Sequence, residues 1–275
     1  MELEIIEMYC VVNDLFKCMK IKDDIQVKMT TAEVITVALV SARFFGGNFE
    51  KGREFLKEHG YIPNMLSKSR FCQRLHKIPE EFWIRLPLSL SSVRKEIEQT
   101  KEFIVDSFPI PCCKNIRIKN CKIYCGEEYR GYNIAKREYF FGLKAHVILT
   151  AQNLLPVEII LGPGRENDGK AFKKFYLNLP EGSNIYRDSA YTDYADEDLL
   201  KEVEQIHLLT QRKKNSKRPH SGCMQYIIEY SRKKIESGFS RICSLLPKSI
   251  HAVTSKGFEI KSLCFVLASL FMTTI

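Results

Sequence analysis

The chain of 275 residues lacks the signature motifs of several common enzyme classes. It contains no Walker phosphate-binding loop, no glycine-rich dinucleotide fingerprint and no His-Glu-x-x-His motif. Its longest apolar run, Ser262 to Phe271, is too short to span a bilayer. The sequence therefore gives no support to nucleotide-driven chemistry or zinc proteolysis, and no membrane partner is expected.

The N-terminus also lacks the features of a targeting segment. Residues 1–7 are acidic and follow a helical pattern, whereas secretory signals and transit peptides begin with basic residues. Ten cysteines in a chain without an export signal are typical of free thiols. We therefore expect a cytoplasmic protein.

The composition is that of a globular protein with excess positive charge. Apolar residues make up 45% of the chain, which is enough for one large domain or two modest ones. Lysine and arginine total 42 against 33 acidic residues, a net charge of +9. A polyanion or an anionic surface is the natural partner of such a chain.

Residues 1–97 are predicted to form a helical N-terminal domain. Apolar residues recur at helical spacing, and Thr30 with Glu33 forms a capping-box pattern before a second helix. Basic residues near the start of a later helix are consistent with a helix-turn-helix that binds DNA. A small helical bundle with solvated basic side chains explains the same pattern.

Residues 98–108 are predicted to form a buried central strand. A β-branched and aromatic run ends in Asp106, shortly before Pro109, so the strand would deliver one carboxylate to the edge of its sheet. Asp106 is therefore the first candidate catalytic residue. The alternative is that Asp106 only stabilises a turn before the proline.

Residues 109–139 are predicted to form an irregular basic insertion in which tyrosines alternate with basic side chains. Such a surface suits both a phosphate backbone and an unstacked base, although a solvated loop has the same composition. The candidate DNA-binding residues in this insertion are Lys114, Arg117, Lys119 and Arg130.

Four cysteines also fall in this region, at positions 112, 113, 121 and 125. Adjacent cysteines and a Cys-x-x-x-Cys pair do not match the usual spacing of paired zinc ligands. The spacing therefore does not predict a zinc site.

From Tyr139 onward the pattern predicts a mixed sheet with helices on its faces. Two apolar strands surround a turn at residues 151–153, and a short later strand ends in Asp188. Asp168 is predicted to cap an intervening helix. After the last strand, residues 212–218 carry five basic residues, and Arg212, Lys213 and Lys214 are candidates for contacts with DNA.

The last long helix begins near Met224 and presents Glu236 beside its apolar face, with Arg232 one turn earlier. Asp106, Asp188 and Glu236 together have the composition of a two-metal phosphoryl-transfer site. In such a site carboxylates hold two divalent ions about 4 Å apart, one on the attacking oxygen and one on the leaving oxygen.

Five blocks in order also carry a family resemblance. They are Phe-Ile-Val-Asp106-Ser-Phe-Pro-Ile-Pro, Tyr-Phe-Phe-Gly-Leu-Lys-Ala-His146, Gly-Pro-Gly-Arg-Glu-Asn-Asp168, Asp188-Ser-Ala-Tyr191 and Arg232-Lys-Lys-Ile-Glu236. In this order they resemble the DDE transposases of bacterial insertion sequences, and most closely the type called insertion sequence nine-eight-two. The resemblance spans nearly the whole chain.

This resemblance implies an α/β fold, with a ribonuclease-H-like mixed sheet flanked by helices behind an all-helical N-terminal domain. The catalytic domain would cover residues 98–275. The expected cofactor is Mg²⁺ or Mn²⁺, as two ions. The expected partner is double-stranded DNA, both element ends and target, with a homodimer assembled on it in association with the nucleoid.

The resemblance also assigns roles to individual residues. Asp106 would be the shared metal ligand, Asp188 the second ligand and Glu236 the acid on the second ion. Arg232 would contact phosphate, with Lys233 beside it. Glu229 rivals Glu236 as the third acid, and Asp168 and Asp193 rival Asp188 as the second; the resemblance favours Glu236 and Asp188.

The predicted function is DNA transposition, with cleavage at the element ends followed by strand transfer into target DNA. Two alternatives remain from the sequence. One is an enzyme of the same fold that only hydrolyses nucleic acid, and the other is a DNA-binding protein without catalytic activity.

Overall fold

The computed structural model describes residues 1–93, 100–134 and 136–272. The chain divides into two compact units, one formed by Met1–Ser89 with Ile242–Ile275 and the other by Leu90–Arg241. The boundary predicted between residues 97 and 98, and the first two residues of the predicted strand, lie outside the described residues.

Most of the first unit consists of helices that precede the sheet in the sequence. They are α1 (Glu2–Cys18), α2 (Thr31–Phe44), α3 (Phe49–Glu58), α4 (Lys68–Lys77) and α5 (Glu80–Val93), the last of which continues into the second unit. The predicted capping box opens α2: the amide of Glu33 donates to Oγ1 of Thr30, and the amide of Thr30 donates to the Glu33 carboxylate.

A C-terminal helix, α9 (Ser255–Ser269), belongs to the first unit rather than to the unit of the sheet. The sequence-based prediction places this helix in the catalytic domain of residues 98–275. Most of its side chains from Phe258 onward are buried, as expected of a helix that is apolar on nearly all sides. Its Phe265 ring lies so close to Gly47 that a Cβ there would be 2.7 Å from the ring.

The second unit contains a six-stranded mixed sheet. Its strands are β1 (Glu102–Cys113), β2 (Arg130–Asn133), β3 (Glu138–Thr150), β4 (Pro156–Pro163), β5 (Asn184–Arg187) and β6 (His207–Thr210). The order along the sheet is β2-β3-β1-β5-β6, and β4 also pairs with β3. Strands β3 and β4 form the predicted antiparallel hairpin, whereas β1, β5 and β6 are parallel neighbours.

Three helices accompany these strands: α6 (Asp168–Phe172), α7 (Tyr194–Val203) and α8 (Gly222–Leu245), the last of which ends in the first unit. The predicted α/β fold, an open mixed sheet flanked by helices and preceded by a helical region, is confirmed.

Strand β1 is longer than the sequence indicated. It continues through Pro109 and Pro111 to Cys113, where an irregular insertion had been predicted. Beyond Ile104 the strand pairs with β3 alone, so that one side of it lacks a strand partner in the described sheet. Proline is tolerated in a strand where its nitrogen faces away from the neighbouring strand, and this explains the error. The predicted insertion also contains β2.

Candidate active site

The carboxylates of Asp106 and Asp188 lie at the same level of the sheet because β1 and β5 are parallel neighbours. Ile104 pairs with Tyr186, and each aspartate follows two residues later along its own strand direction. Asp188 comes directly after β5 and accepts a hydrogen bond from the Ser189 amide at 2.6 Å. The parallel register therefore brings two of the predicted acids to one edge of the sheet.

Asp106 is largely buried, with 28% of its side chain exposed. Burial raises the pKa of its carboxyl to about 6. The Ser107 amide and the Arg232 guanidinium oppose this rise, whereas the charges of Asp188 and Asp168 add to it. A nearby cation therefore favours the ionised form of Asp106, because it offsets the loss of hydration of the carboxylate.

Arg232 on α8 supplies such a cation between the two aspartates. Its Nη2 lies 3.6 Å from Oδ2 of Asp106, and its Nη1 lies 3.5 Å from Oδ1 of Asp188. The same Nη1 donates to Oε1 of Gln211 at 2.5 Å. Because one guanidinium contacts both carboxylates, the two aspartates are close enough to bind a single cation.

A cavity of about 290 Å³ adjoins these groups. Glu236, one turn after Arg232 on α8, is exposed and lines the cavity together with Asp106. Glu229, one turn before Arg232, also lines it but accepts hydrogen bonds from the amides of Gln211 and Gln225. The cavity is lined by Asp106, Gln211, Glu229, Arg232, Lys233, Ile235 and Glu236.

The structure does not gather the three acids into a tight cluster. Among the residues it describes, the one group of three or more candidate ligand atoms within 4.8 Å of one another consists of cysteine sulfurs, at Cys112, Cys113 and Cys121. Asp106 and Asp188 face a common cation, and Asp106 shares a cavity with Glu236. Carboxylates on one face of a site are the donors that Mg²⁺ and Mn²⁺ prefer, so the residues fit these ions.

Asp168 lies beside Asp106 and has partners that the sequence did not predict. Its Oδ1 accepts from Oγ of Ser107 at 3.1 Å and from Nζ of Lys144 at 3.2 Å. Burial lowers the pKa of the nearby His146 to about 4, so this histidine is neutral at pH 7 and forms no ion pair with Asp168. The order of acids in the sequence had indicated Asp168 only as a rival ligand.

The predicted helix cap at Asp168 is wrong by one residue. Asn167 caps α6, accepting a hydrogen bond from the Lys170 amide, while Asp168 occupies the first turn and turns its carboxylate toward β1 and β3. An asparagine caps a helix as well as an aspartate does, so composition alone could not separate the two.

A buried ionic network lies immediately behind Asp188. The carboxylate of Glu197 on α7 accepts from Arg187 at 3.1 Å, from Thr210 at 2.9 Å and from both terminal nitrogens of Arg212. Burial raises the pKa of Glu197, but the hydrogen bonds from Arg212 and Thr210 outweigh it, and the pKa lies below its usual value. The network holds the side chain of Arg187, the residue that precedes Asp188, in one position.

This network bears on Arg212, which the sequence had indicated as a DNA contact. Its side chain is 7% exposed and pairs with Glu197, so its guanidinium is already bound within the protein. The other candidate DNA-binding side chains are exposed, apart from half-buried Arg232. They are Lys114, Arg117, Lys119, Arg130, Lys213, Lys214 and Lys233.

No helix in the described part of the chain combines the length and the apolarity that crossing a bilayer requires.

Comparison with known proteins identifies the family. Residues 98–262 match the family profile described as the transposase DDE domain. No curated protein matches the sequence. One solved structure, the cryo-EM structure of a piggyBac transposase synaptic complex with hairpin DNA, aligns with 97% of this chain and 72% of its own, at 11% identity and a TM-score of 0.44. Because the family profile covers more than half of the sequence, the chain belongs to the transposase DDE domain family and is a DDE transposase enzyme.

Proposed function

We propose that this transposase cleaves double-stranded DNA at the ends of a bacterial insertion sequence of the nine-eight-two type and joins the freed ends to target DNA. The observation that carries the proposal is the position of the Arg232 guanidinium between the Asp106 and Asp188 carboxylates, next to a cavity lined by Glu236.

Asp106, Asp188 and Glu236 are the proposed catalytic residues and metal ligands. DDE transposase domains generally depend on divalent metal ions, and we infer that two ions, Mg²⁺ or Mn²⁺, bind here. When bound, such ions activate the attacking oxygen and stabilise the leaving oxygen. Asp106 would face both ions, because it lies next to Asp188 across the sheet and borders the cavity of Glu236.

The proposed reaction has two steps of the same kind. In the first, water attacks a phosphodiester at the element end, and the bond to the 3′ oxygen breaks to free a 3′-hydroxyl. In the second, that hydroxyl attacks a phosphodiester of target DNA, so one phosphodiester forms as another breaks. Arg232 and Lys233 are placed beside the acids and would hold the phosphate with their positive charge.

Exposed basic residues would supply the rest of the affinity for DNA. Residues Lys114, Arg117, Lys119, Arg130, Lys213 and Lys214 are proposed to contact phosphates, and binding should weaken as salt concentration rises. Arg212 is left out of this set because its guanidinium pairs with Glu197. Two chains, one for each element end, would assemble on the DNA as a homodimer, in the cytoplasm and associated with the nucleoid.

The test compares Asp106→Asn with wild type on DNA carrying the element ends. We expect the variant to lose cleavage while it retains DNA binding. Asp198→Asn is the matched control, because Asp198 is an exposed aspartate of the same unit whose carboxylate pairs with Arg218. Cleavage by Asp106→Asn would remove this residue from the active site.

Hydrolysis without joining is the alternative function. A DNA end that already carries a free 3′-hydroxyl separates the two, because a transposase joins it to target DNA and a simple nuclease does not. Joining by wild type with Mn²⁺ would support the transposase, and cleavage without joining would support the nuclease.

A further inference from the structure

Three cysteine sulfurs meet at the end of β1, away from the acids. The sulfur atoms of Cys112, Cys113 and Cys121 all lie within 4.8 Å of one another, and those of Cys112 and Cys121 are 3.7 Å apart. Cys112 is buried, and the other two are half-buried. The sequence spacing had not predicted a metal site here.

A break in the strand pairing brings the two adjacent cysteines together. Successive side chains of a regular strand point to opposite faces, which would separate Cys112 from Cys113. The pairing of β1 with β3 shifts between Pro111 and Cys113, which leaves Cys112 without a partner residue on β3. Bulges of this kind redirect side chains, and here both sulfurs reach Cys121.

Gly142 on β3 makes this irregularity possible. A Cβ at this position would lie 2.4 Å from the carbonyl oxygen of Ile110 and 2.7 Å from the amide nitrogen of Cys112. The backbone of β1 can therefore approach β3 this closely only opposite a glycine.

The separation of the sulfurs matches metal ligation better than a disulfide. Zinc–sulfur bonds of about 2.3 Å in a tetrahedral site place two sulfurs about 3.8 Å apart. A disulfide requires about 2.05 Å. The 3.7 Å between Cys112 and Cys121 corresponds to one edge of the zinc tetrahedron.

The turn after Cys121 has the features of a ligand loop. The backbone amides of Tyr124 and Ile123 both donate hydrogen bonds to the Cys121 sulfur. Cys125 follows at the end of the same turn, with its sulfur 4.0 Å from the Cys121 carbonyl oxygen. Gly126 then adopts a positive φ of 121°, which ends the turn.

We propose that Cys112, Cys113 and Cys121, with Cys125 as the fourth ligand, bind a structural zinc ion. Cys113 and Cys121 bracket the short 3₁₀ helix Asn115–Asn120 and the basic residues Lys114, Arg117 and Lys119. The ion closes this segment into a loop against the end of β1. The role of that loop in presenting basic side chains to DNA rests on the proposed function; the zinc site does not.

The first experiment measures the metal content of the full-length chain purified without chelator. We expect about one zinc ion per chain, by inductively coupled plasma mass spectrometry. Cys112→Ser and Cys121→Ser should lose the zinc, whereas Cys10→Ser and Cys223→Ser, at exposed cysteines elsewhere, should keep it. Cobalt in place of zinc should give the absorption bands of tetrahedral thiolate coordination.

A second measurement uses wild type alone, so it does not depend on the folding of variants. Added zinc should slow alkylation of Cys112, Cys113, Cys121 and Cys125 and leave that of Cys10 and Cys223 unchanged, as read by peptide mass spectrometry. The proposal would be overturned if the purified chain contained no zinc and added zinc did not change the alkylation rates. A disulfide between Cys112 and Cys121 would also overturn it. Asp106→Asn should keep its zinc, so that failure of the catalytic assignment and failure of the zinc site are distinguishable.

Discussion

The guanidinium of Arg232 lies 3.6 Å from the carboxylate of Asp106 and partly compensates its negative charge. It also lies 3.5 Å from Asp188. The arginine therefore holds two like charges together across neighbouring strands. It must also compete with any divalent ion that binds to the same two carboxylates.

Competition of this kind predicts opposite effects of one substitution. Arg232→Gln should bind Mn²⁺ up to about fivefold more tightly in the absence of DNA, since a partly exposed ion pair contributes up to about 1 kcal/mol. The same variant should cleave DNA more slowly, because a phosphate contact is lost.

Calorimetry measures the affinity for Mn²⁺, and a cleavage assay measures the rate of DNA cleavage. Lys233→Gln is the matched control, since Lys233 lines the same cavity but forms no ion pair with the residues that the structure describes. Equal tightening in both variants would contradict direct competition.

The third acid can be assigned by a pair of substitutions on α8. Glu229 accepts hydrogen bonds from two glutamine side chains, whereas Glu236 is exposed in the cavity beside Asp106. Glu236→Gln should reduce the cleavage rate by about a hundredfold or more, because metal-assisted charge stabilisation contributes several kcal/mol to the transition state. Glu229→Gln should retain most of the activity. The reverse ranking in a single-turnover assay would transfer the assignment to Glu229.

The raised pKa of Asp106 predicts how stability depends on pH in the metal-free protein. Its pKa is about 6 in the folded chain and about 3.9 when unfolded. The folded state therefore binds the proton more tightly, and this contribution to stability is fully present below about pH 4 and lost as pH rises through about 6. Asp106→Asn should be more stable than wild type by about 1–3 kcal/mol at pH 7, and the difference should shrink at pH 4. Urea unfolding in EDTA measures it; a difference independent of pH would exclude this cause.

The network behind Asp188 predicts a large loss of stability when its carboxylate is neutralised. Glu197 is 9% exposed and pairs with Arg187 and Arg212, both of which are almost fully buried. Glu197→Gln leaves two buried guanidinium groups without a charge partner, which costs about 3–5 kcal/mol. Denaturant unfolding should show this loss, and Glu202→Gln, at an exposed site on the same helix, should change stability little. A loss below about 1 kcal/mol would show that the network adds little to stability.

Much of the fold followed from local patterns. The capping box at Thr30, the hairpin of β3 and β4, and the short strand before Asp188 were all readable because each depends on neighbouring residues. The order of the acids also indicated which elements would carry them. Their placement at one level of the sheet depends on the register of β1 and β5, which no local pattern specifies.

The features that the sequence did not reveal depend on contacts between distant residues. Arg212 is indistinguishable from its basic neighbours until Glu197 is brought against it, and Asp168 acquires its partners only when β1 and β3 pair. The cysteines likewise converge through a bulge rather than through regular spacing. Spacing rules for metal ligands assume particular loop conformations, and adjacent cysteines on a strand do not satisfy them.

Gly142 offers a test of that bulge which leaves every cysteine in place. A methyl group there would meet the backbone of Ile110 and Cys112 at 2.4 and 2.7 Å, and the residue has a φ of 155°. Gly142→Ala should therefore destabilise the protein by about 1–3 kcal/mol, the cost of strained backbone. It should also weaken zinc binding, because Cys112 and Cys113 could no longer turn toward the same point. Gly222→Ala is the control, since a Cβ there meets nothing within 4 Å. If Gly142→Ala binds zinc as wild type does, the convergence of the sulfurs does not depend on the bulge.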